Sequence, residues 1–365
     1  MTDELRDRLE RAPLPGAEDA RRRAWTVVRG AAPAPTARTR SPRIVAALVA
    51  AAAVALALTP PGAAVGDWVR ERVDPPEPPP ETQAKPATRL PAPGRLLVGD
   101  ARGIAIVAQE GRRTALGRYD GATWSPHGLF VGAWRGSRLS ALSPDGGVRW
   151  RIAAPERVRA ARWSPDGYRI AYLTAAGHIR VVAGDGTGDR PLAAVRGAVP
   201  AWRPGSLHVL AYVSRSGRIE IRDVDTGALI ARPHRAVPAR TRSLSWSPGG
   251  RLLAASGPHA IRVYDVRRGG SERTAPPPGS RFTAAAFAPD RATLAVVARE
   301  RGRSTVSAGR EVFATRGRIA GATWSLDGRW LMLDVPSARQ LIAVHVSGAP
   351  RVLSLPGVRV HGWSR

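Results

Sequence analysis

From residue 95 to the end, the chain alternates short apolar runs with compact polar tracts of Gly, Pro, Asp and Arg. The runs are rich in β-branched and aromatic side chains. Arg169-Ile-Ala-Tyr-Leu173 is followed by His178-Ile-Arg-Val-Val182, Leu210-Ala-Tyr-Val213 by Ile219-Glu-Ile-Arg222, and Leu252-Leu-Ala-Ala255 by Ile261-Arg-Val-Tyr264. Runs this short, bounded by turn formers, read as strands rather than helices. The intervening Pro-Asp-Gly and Pro-Gly-Gly tracts suit tight turns, because Pro presets φ and Gly accepts a positive φ.

The strands recur in units. An aromatic residue followed by a turn stands at Trp124-Ser-Pro-His-Gly128, Trp163-Ser-Pro-Asp-Gly167, Trp202-Arg-Pro-Gly205, Trp246-Ser-Pro-Gly-Gly250, Phe287-Ala-Pro-Asp290, Trp324-Ser-Leu-Asp-Gly328 and Trp363-Ser-Arg365. The separations are 39, 39, 44, 41, 37 and 39 residues. A period near 40 with about four short strands per unit is that of a propeller blade. The chain ends two residues after Trp363, so these marks close six units. Residues 95–117 hold three strand-like runs with no mark ahead of them, namely Leu96-Leu-Val98, Ile104-Ala-Ile-Val107 and Thr114-Ala-Leu116. The last strand, 357–363, is expected to join those three in a seventh blade, removing two exposed sheet edges and locking the ring. The expected fold class is all-β, a seven-bladed β-propeller.

The repeated Trp-Ser-Pro-Asp-Gly turn and the Ile-Ala-Tyr strand behind it resemble the WD40-like (PD40) propellers of the TolB type. The likeness covers about residues 95–365. Together with the segments described below, the chain also looks like membrane-anchored WD40-like repeat proteins of actinobacteria. The resemblance implies protein partners in the cell envelope and identifies none of them. The chain departs from the pattern at Arg203 and Gly205, at Phe287 and Arg291, and at Leu326. The signature residues are Trp124, Trp163, Trp202, Trp246, Phe287, Trp324 and Trp363 with the turn residues Asp166, Gly167, Gly250, Asp327 and Gly328. Repetition at equivalent places in successive blades points to packing between blades rather than to one ligand cage.

Ahead of the repeats, no ionisable residue occurs between Arg43 and Asp67, a stretch of 23 positions. As a helix at about 1.5 Å per residue it would reach about 34 Å, enough for a hydrocarbon core of about 30 Å. The 43 residues before it contain six acids, unlike the short basic start of a signal peptide. Arg29, Arg38, Arg40 and Arg43 flank the near side without an acid after Asp19, while Asp67, Glu71, Asp74 and Glu77 mingle with Arg70 and Arg72 on the far side. By the positive-inside rule, residues 1–43 form a cytoplasmic tail, 44–66 a single membrane span, and the remainder lies outside the cytoplasm. Residues 67–94 read as a juxtamembrane helix around Trp68 and a Pro-rich linker, and 95–365 as the propeller.

Composition narrows the chemistry. With no Cys among 365 residues there is no thiol nucleophile, disulfide or Cys-based metal site. The seven His show no metal-ligand spacing, and one Asp per turn falls far short of a calcium cage. There is no Gly-x-Ser-x-Gly elbow or Walker loop, and Gly184-Asp-Gly-Thr-Gly188 sits between strands without the helix that would present it to phosphate. No catalytic residue, cofactor or metal is expected. The net charge of +27 is concentrated in residues 95–365, but the Arg are spread over every blade with few aromatics to stack bases, which argues against nucleic acid. The expected function is a non-catalytic, membrane-tethered module that binds protein or glycan on the extracytoplasmic side. The alternatives are an Arg-rich binder of anionic polymers or of the membrane surface, and a ligand sensor that signals through the span to the tail.

Overall fold

The turn behind each aromatic mark reverses the chain and lays the next strand beside the one just finished. In one unit, Val158–Trp163 ends on the aromatic residue and Arg169–Thr174 returns antiparallel, with Ile170 opposite Trp163. His178–Ala183 and Arg190–Ala194 complete a four-stranded sheet. The turn is held by its own side chains. Arg169 N–H donates to Ser164 Oγ at 2.9 Å, Ser164 Oγ donates to Asp166, and Tyr168 N–H donates to the same carboxylate at 3.0 Å. Gly167 takes φ +82°, which a β-carbon disfavours. The same device recurs at Ser325, Asp327 and Gly328, where Trp330 N–H donates to Ser325 Oγ.

The structure is a computed structural model that describes residues 85–86 and 89–365 apart from 207, 348–351, 357–358 and 365. The expected tail, span and juxtamembrane helix lie outside the described residues. Among the described residues no helix is long and apolar enough to cross a membrane.

Six four-stranded antiparallel blades follow in chain order, spanning 121–153, 158–194, 201–231, 243–274, 280–316 and 321–356. The first strand of each blade neighbours the first strand of the next, and the succession closes on itself through Arg359–Ser364. These first strands therefore line the centre of a ring. Arg359–Ser364 pairs antiparallel with Arg95–Asp100, Leu96 lying opposite Trp363, and Gly103–Val107 and Arg113–Gly117 continue that sheet outward. The seventh blade thus takes its inner strand from the C-terminus and three outer strands from the start of the domain, as the count of marks requires. The ordered fold also reaches upstream of residue 95. Lys85–Pro86 adds a short parallel strand to Val352–Pro356, and Leu90 and Ala92 are buried with Trp330, Met332 and Trp363.

Both faces of every blade are covered, which explains why the strands read as continuous apolar runs rather than alternating ones. In Val209–Val213, Leu210 and Tyr212 pack on Ala171, Leu173 and Val181 of the preceding blade. Ala211 and Val213 pack on Leu253, Ala255 and Tyr264 of the following blade. Seven such buried clusters occur, one between each pair of neighbouring blades.

Candidate functional site

Each of the seven aromatic residues sits in the cluster between its own blade and the one before, buried at the end or near the end of its inner strand. Four of the six indole N–H groups carry the contact into hydrogen bonds, while those of Trp124 and Trp163 are buried without an acceptor among the described residues. Trp202 donates to the Arg162 carbonyl at 2.9 Å, Trp246 to Ala201 at 3.1 Å and Trp324 to Ala286 at 3.0 Å. In each case the acceptor is the residue just before the previous blade's aromatic mark. Phe287 has no such donor, and there the backbone substitutes: its own N–H donates to Ser245 Oγ at 3.0 Å. Trp363 instead donates to the Pro93 carbonyl at 3.0 Å, fastening the C-terminal strand to the segment that enters the domain.

Two of the departures from the repeat pattern form a second device. Arg203 Nε donates to the Gly250 carbonyl of the next blade's turn at 2.7 Å, with its guanidinium 5.5 Å from the Trp246 ring centroid. Arg291 donates to the Gly328 carbonyl at 2.7 Å. Arg95 repeats the arrangement on the seventh blade, donating to Gly128 at 2.8 Å with its guanidinium 5.0 Å from the Trp124 ring. Signature glycines 250 and 328 thus serve as acceptors for a cation reaching across a blade boundary, besides turning the chain. Their conformations, φ +61° and +63°, aim those carbonyls.

Asp166 also has a further role. His208 lies between it and Asp225, with Nε2 2.8 Å from Asp166 Oδ2 and Nδ1 in contact with Asp225 Oδ2. Arg169 reaches Asp225 at 3.0 Å. Although burial opposes it, hydrogen bonds, joined at Asp225 by the Arg169 guanidinium, hold both carboxyls below the usual aspartate range. This group ties two adjacent blades together. His208 adopts φ +50°, an uncommon conformation for a residue with a β-carbon.

Near the centre of the ring lie two titratable groups, Asp334 buried and His361 half-buried. Desolvation pushes Asp334 up to about 6, partly offset by the Val360 N–H donating to it at 2.9 Å and by Arg359. Desolvation, helped by Arg359 and Arg162, pushes His361 down to about 4. Arg162 lines a cavity of about 410 Å³ among the inner strands, with Trp124, Trp163, Trp202 and Pro165. Among the described residues no group of three metal-ligating side chains is gathered.

The strand connections divide between two rims. The connections from first to second and from third to fourth strands, which include every Trp-Ser-Pro-Asp-Gly turn, form one face, here the turn face. Those from second to third strands and from one blade to the next form the other, the return face. The large exposed apolar side chains gather toward the turn face: Leu129, Tyr168 and Leu326 in its turns, Val148 at a strand start, with Leu229 and Ile230 on the outer edge of the third blade. The sequence holds no signal for this gathering except position along the blade, since exposed Leu129 and Leu229 adjoin apolar neighbours just as buried residues do.

The described domain is therefore a seven-bladed β-propeller of WD40-like architecture. Comparison with protein-family models finds no match, and neither does comparison with curated proteins. Among solved structures, the chain resembles one from "Crystal Structure of Mitotic Checkpoint Complex" with a TM-score of 0.53 and 18% identity, over 67% of this chain and 82% of that one. At that identity the likeness shows the shared fold.

Proposed function

We propose that this protein is a non-catalytic binding scaffold of the TolB type, tethered to the membrane through residues 44–66, with its propeller on the extracytoplasmic side and its partners among envelope proteins. The observation that carries the reading is the apolar content of the turn face. Leu129 is 62% exposed and Tyr168 69%, on the turns of adjacent blades. Such side chains on a polar rim match the anchors of protein–protein contacts. The repeated Trp, by contrast, are consumed by blade packing. The solved chain of similar fold comes from a crystal structure of a complex, which agrees with this use of the fold.

Crosslinking and capture from intact membranes tests the reading. The full chain should retain one or more envelope proteins, and Leu129→Asp with Tyr168→Asp should lose them while melting as before. Equal capture by the variant would refute the turn face as the contact. The tether has its own test. A reporter active only outside the cytoplasm should be active after Pro93 and silent after Arg40; the reverse pattern would overturn the orientation.

A further inference from the structure

The basic residues are spread over every blade in sequence, but the fold sorts them by face. The turn face needs Asp for its hydrogen-bonded reversals, so Asp145, Asp166, Asp185, Asp225, Asp265 and Asp327 all lie there and balance its Arg. The return face is built from a different turn chemistry, Gly flanked by Arg: Arg135-Gly-Ser-Arg138, Arg215-Ser-Gly-Arg218, Arg299-Glu-Arg-Gly-Arg303 and Arg316-Gly-Arg318. The connection 232–242 adds four more Arg and no acid. The acids in these connections are Asp100, Asp120, Glu156 and Glu300. Asp120 is paired with Arg157 and Glu156 with His178. Arg196, Arg235, Arg240 and Arg242 are exposed and make no ion pair among the described residues. Between the third and fourth blades, Arg196 and Arg240 flank a recess of about 450 Å³, also lined by Gly197, Pro238 and Thr241 and by no acid.

We propose that the return face docks flat on an anionic phospholipid surface. Three features select that partner. Cationic positions lie in return-face connections on both sides of the ring, the fourth blade's own connections at 258–259 and 275–279 being the exception, so a plane meets them together, whereas a duplex, being a cylinder, would meet a stripe. Among the described residues none of the large exposed apolar side chains lies on this face, which leaves single-stranded nucleic acid without stacking partners there and places the contact at headgroup level, without insertion. The cations are Arg, whose planar fork pairs bidentately with phosphate oxygens, and the recess between Arg196 and Arg240 offers a seat for one headgroup. Docked this way, the protein turns its apolar turn face away from the bilayer, toward its partners. The inference concerns the opposite face from the one used for protein capture, so either can fail alone.

The absence of Cys allows one label to be placed at will. The full chain carrying Ser137→Cys on the return face, or His127→Cys on the turn face, is labelled with a fluorophore on vesicles of phosphatidylcholine with or without phosphatidylglycerol. A soluble quencher then reports access. The Ser137→Cys label should be protected on the anionic vesicles alone, and the His127→Cys label on neither. Attraction of about 1 kcal/mol per Arg near such a surface means that Arg196→Gln, Arg235→Gln, Arg240→Gln and Arg242→Gln together should lower the docked-to-undocked ratio on the order of 100-fold or more. Arg149→Gln, Arg267→Gln and Arg268→Gln, which remove charge from the turn face, should leave it unchanged. Equal quenching on both lipids, equal loss in both variants, or equal protection by duplex DNA at the same phosphate concentration would overturn the proposal. Circular dichroism melts of both variants separate lost docking from lost folding.

Discussion

Arg203 occupies the place that Ser holds in the repeated turn, and restoring the repeat residue is expected to weaken the protein. Arg203→Ser removes a charge-assisted hydrogen bond to the Gly250 carbonyl and the stacking of the guanidinium on Trp246. The site is half-buried, which places the hydrogen bond at about 1 to 1.5 kcal/mol and the cation–π contact at about 0.5 to 1. The new Ser does not recover this. In the other turns, a Ser or Ala N–H bonds the carbonyl five residues on, as Ser164 does with Arg169, and the Ser Oγ accepts from that same residue. Here the turn is one residue longer, Arg203 N–H reaching the Val209 carbonyl, so the hydroxyl and its partner fall out of register. The net loss is about 2 kcal/mol. For a domain of this size that corresponds to a fall of about 4 to 8 °C in melting temperature. Calorimetric melting of the full chain reads the change, and a cycle with Trp246→Phe isolates the pair. An unchanged or raised melting temperature for Arg203→Ser would refute the clamp.

Trp163→Ala and Trp246→Ala should each cost about 3 to 5 kcal/mol through lost burial and a residual cavity, read by thermal melting, with partner capture per folded molecule unchanged. Gly94 has φ +115°, and a β-carbon there would fall 2.2 Å from the Ser364 carbonyl oxygen, so Gly94→Ala should raise hydrogen exchange in the 359–364 strand. Asp334 binds its proton more tightly folded, at about 6, than unfolded, near 3.8. Its contribution is therefore favourable below about pH 4 and is lost as pH rises through 6. Asp334→Asn keeps an acceptor for the Val360 N–H and should raise stability at pH 8 by up to about 3 kcal/mol, with no gain at pH 4.

The blade count was legible because each mark ends an inner strand, where one large aromatic must fill the gap to the previous blade whatever else varies. Even Phe287 and the two-residue strand Ala201–Trp202 keep that place. The shared blade followed from the unmatched strands at the two ends. Arg203 and Arg291 read as departures because their partners, Gly250 and Gly328, lie a full blade away in sequence. The segregation of charge was hidden for a different reason. Successive connections alternate between faces, so a basic loop and an acidic turn are neighbours along the chain yet lie on opposite rims of the ring. The burial of Leu90 and Ala92 is not legible in the sequence because a Pro-rich tract carries no strand periodicity, and it depends on Trp330 and Trp363 arriving from the other end of the chain.

Both loop faces depend on a closed ring, and closure depends on Arg359–Ser364. That strand pairs with Arg95–Asp100, buries Val360 and Trp363 against Met332 and Leu341, and anchors Trp363 to Pro93. The direct measurement is calorimetric unfolding of the full chain beside a chain that ends at residue 358. Closure predicts that the shortened chain loses its single cooperative transition or melts more than 10 °C lower, binds a hydrophobic dye, and recovers when the 359–365 peptide is supplied in excess, since removal opens a sheet edge and uncovers a core cluster. A shortened chain that melts cooperatively at the original temperature would contradict it.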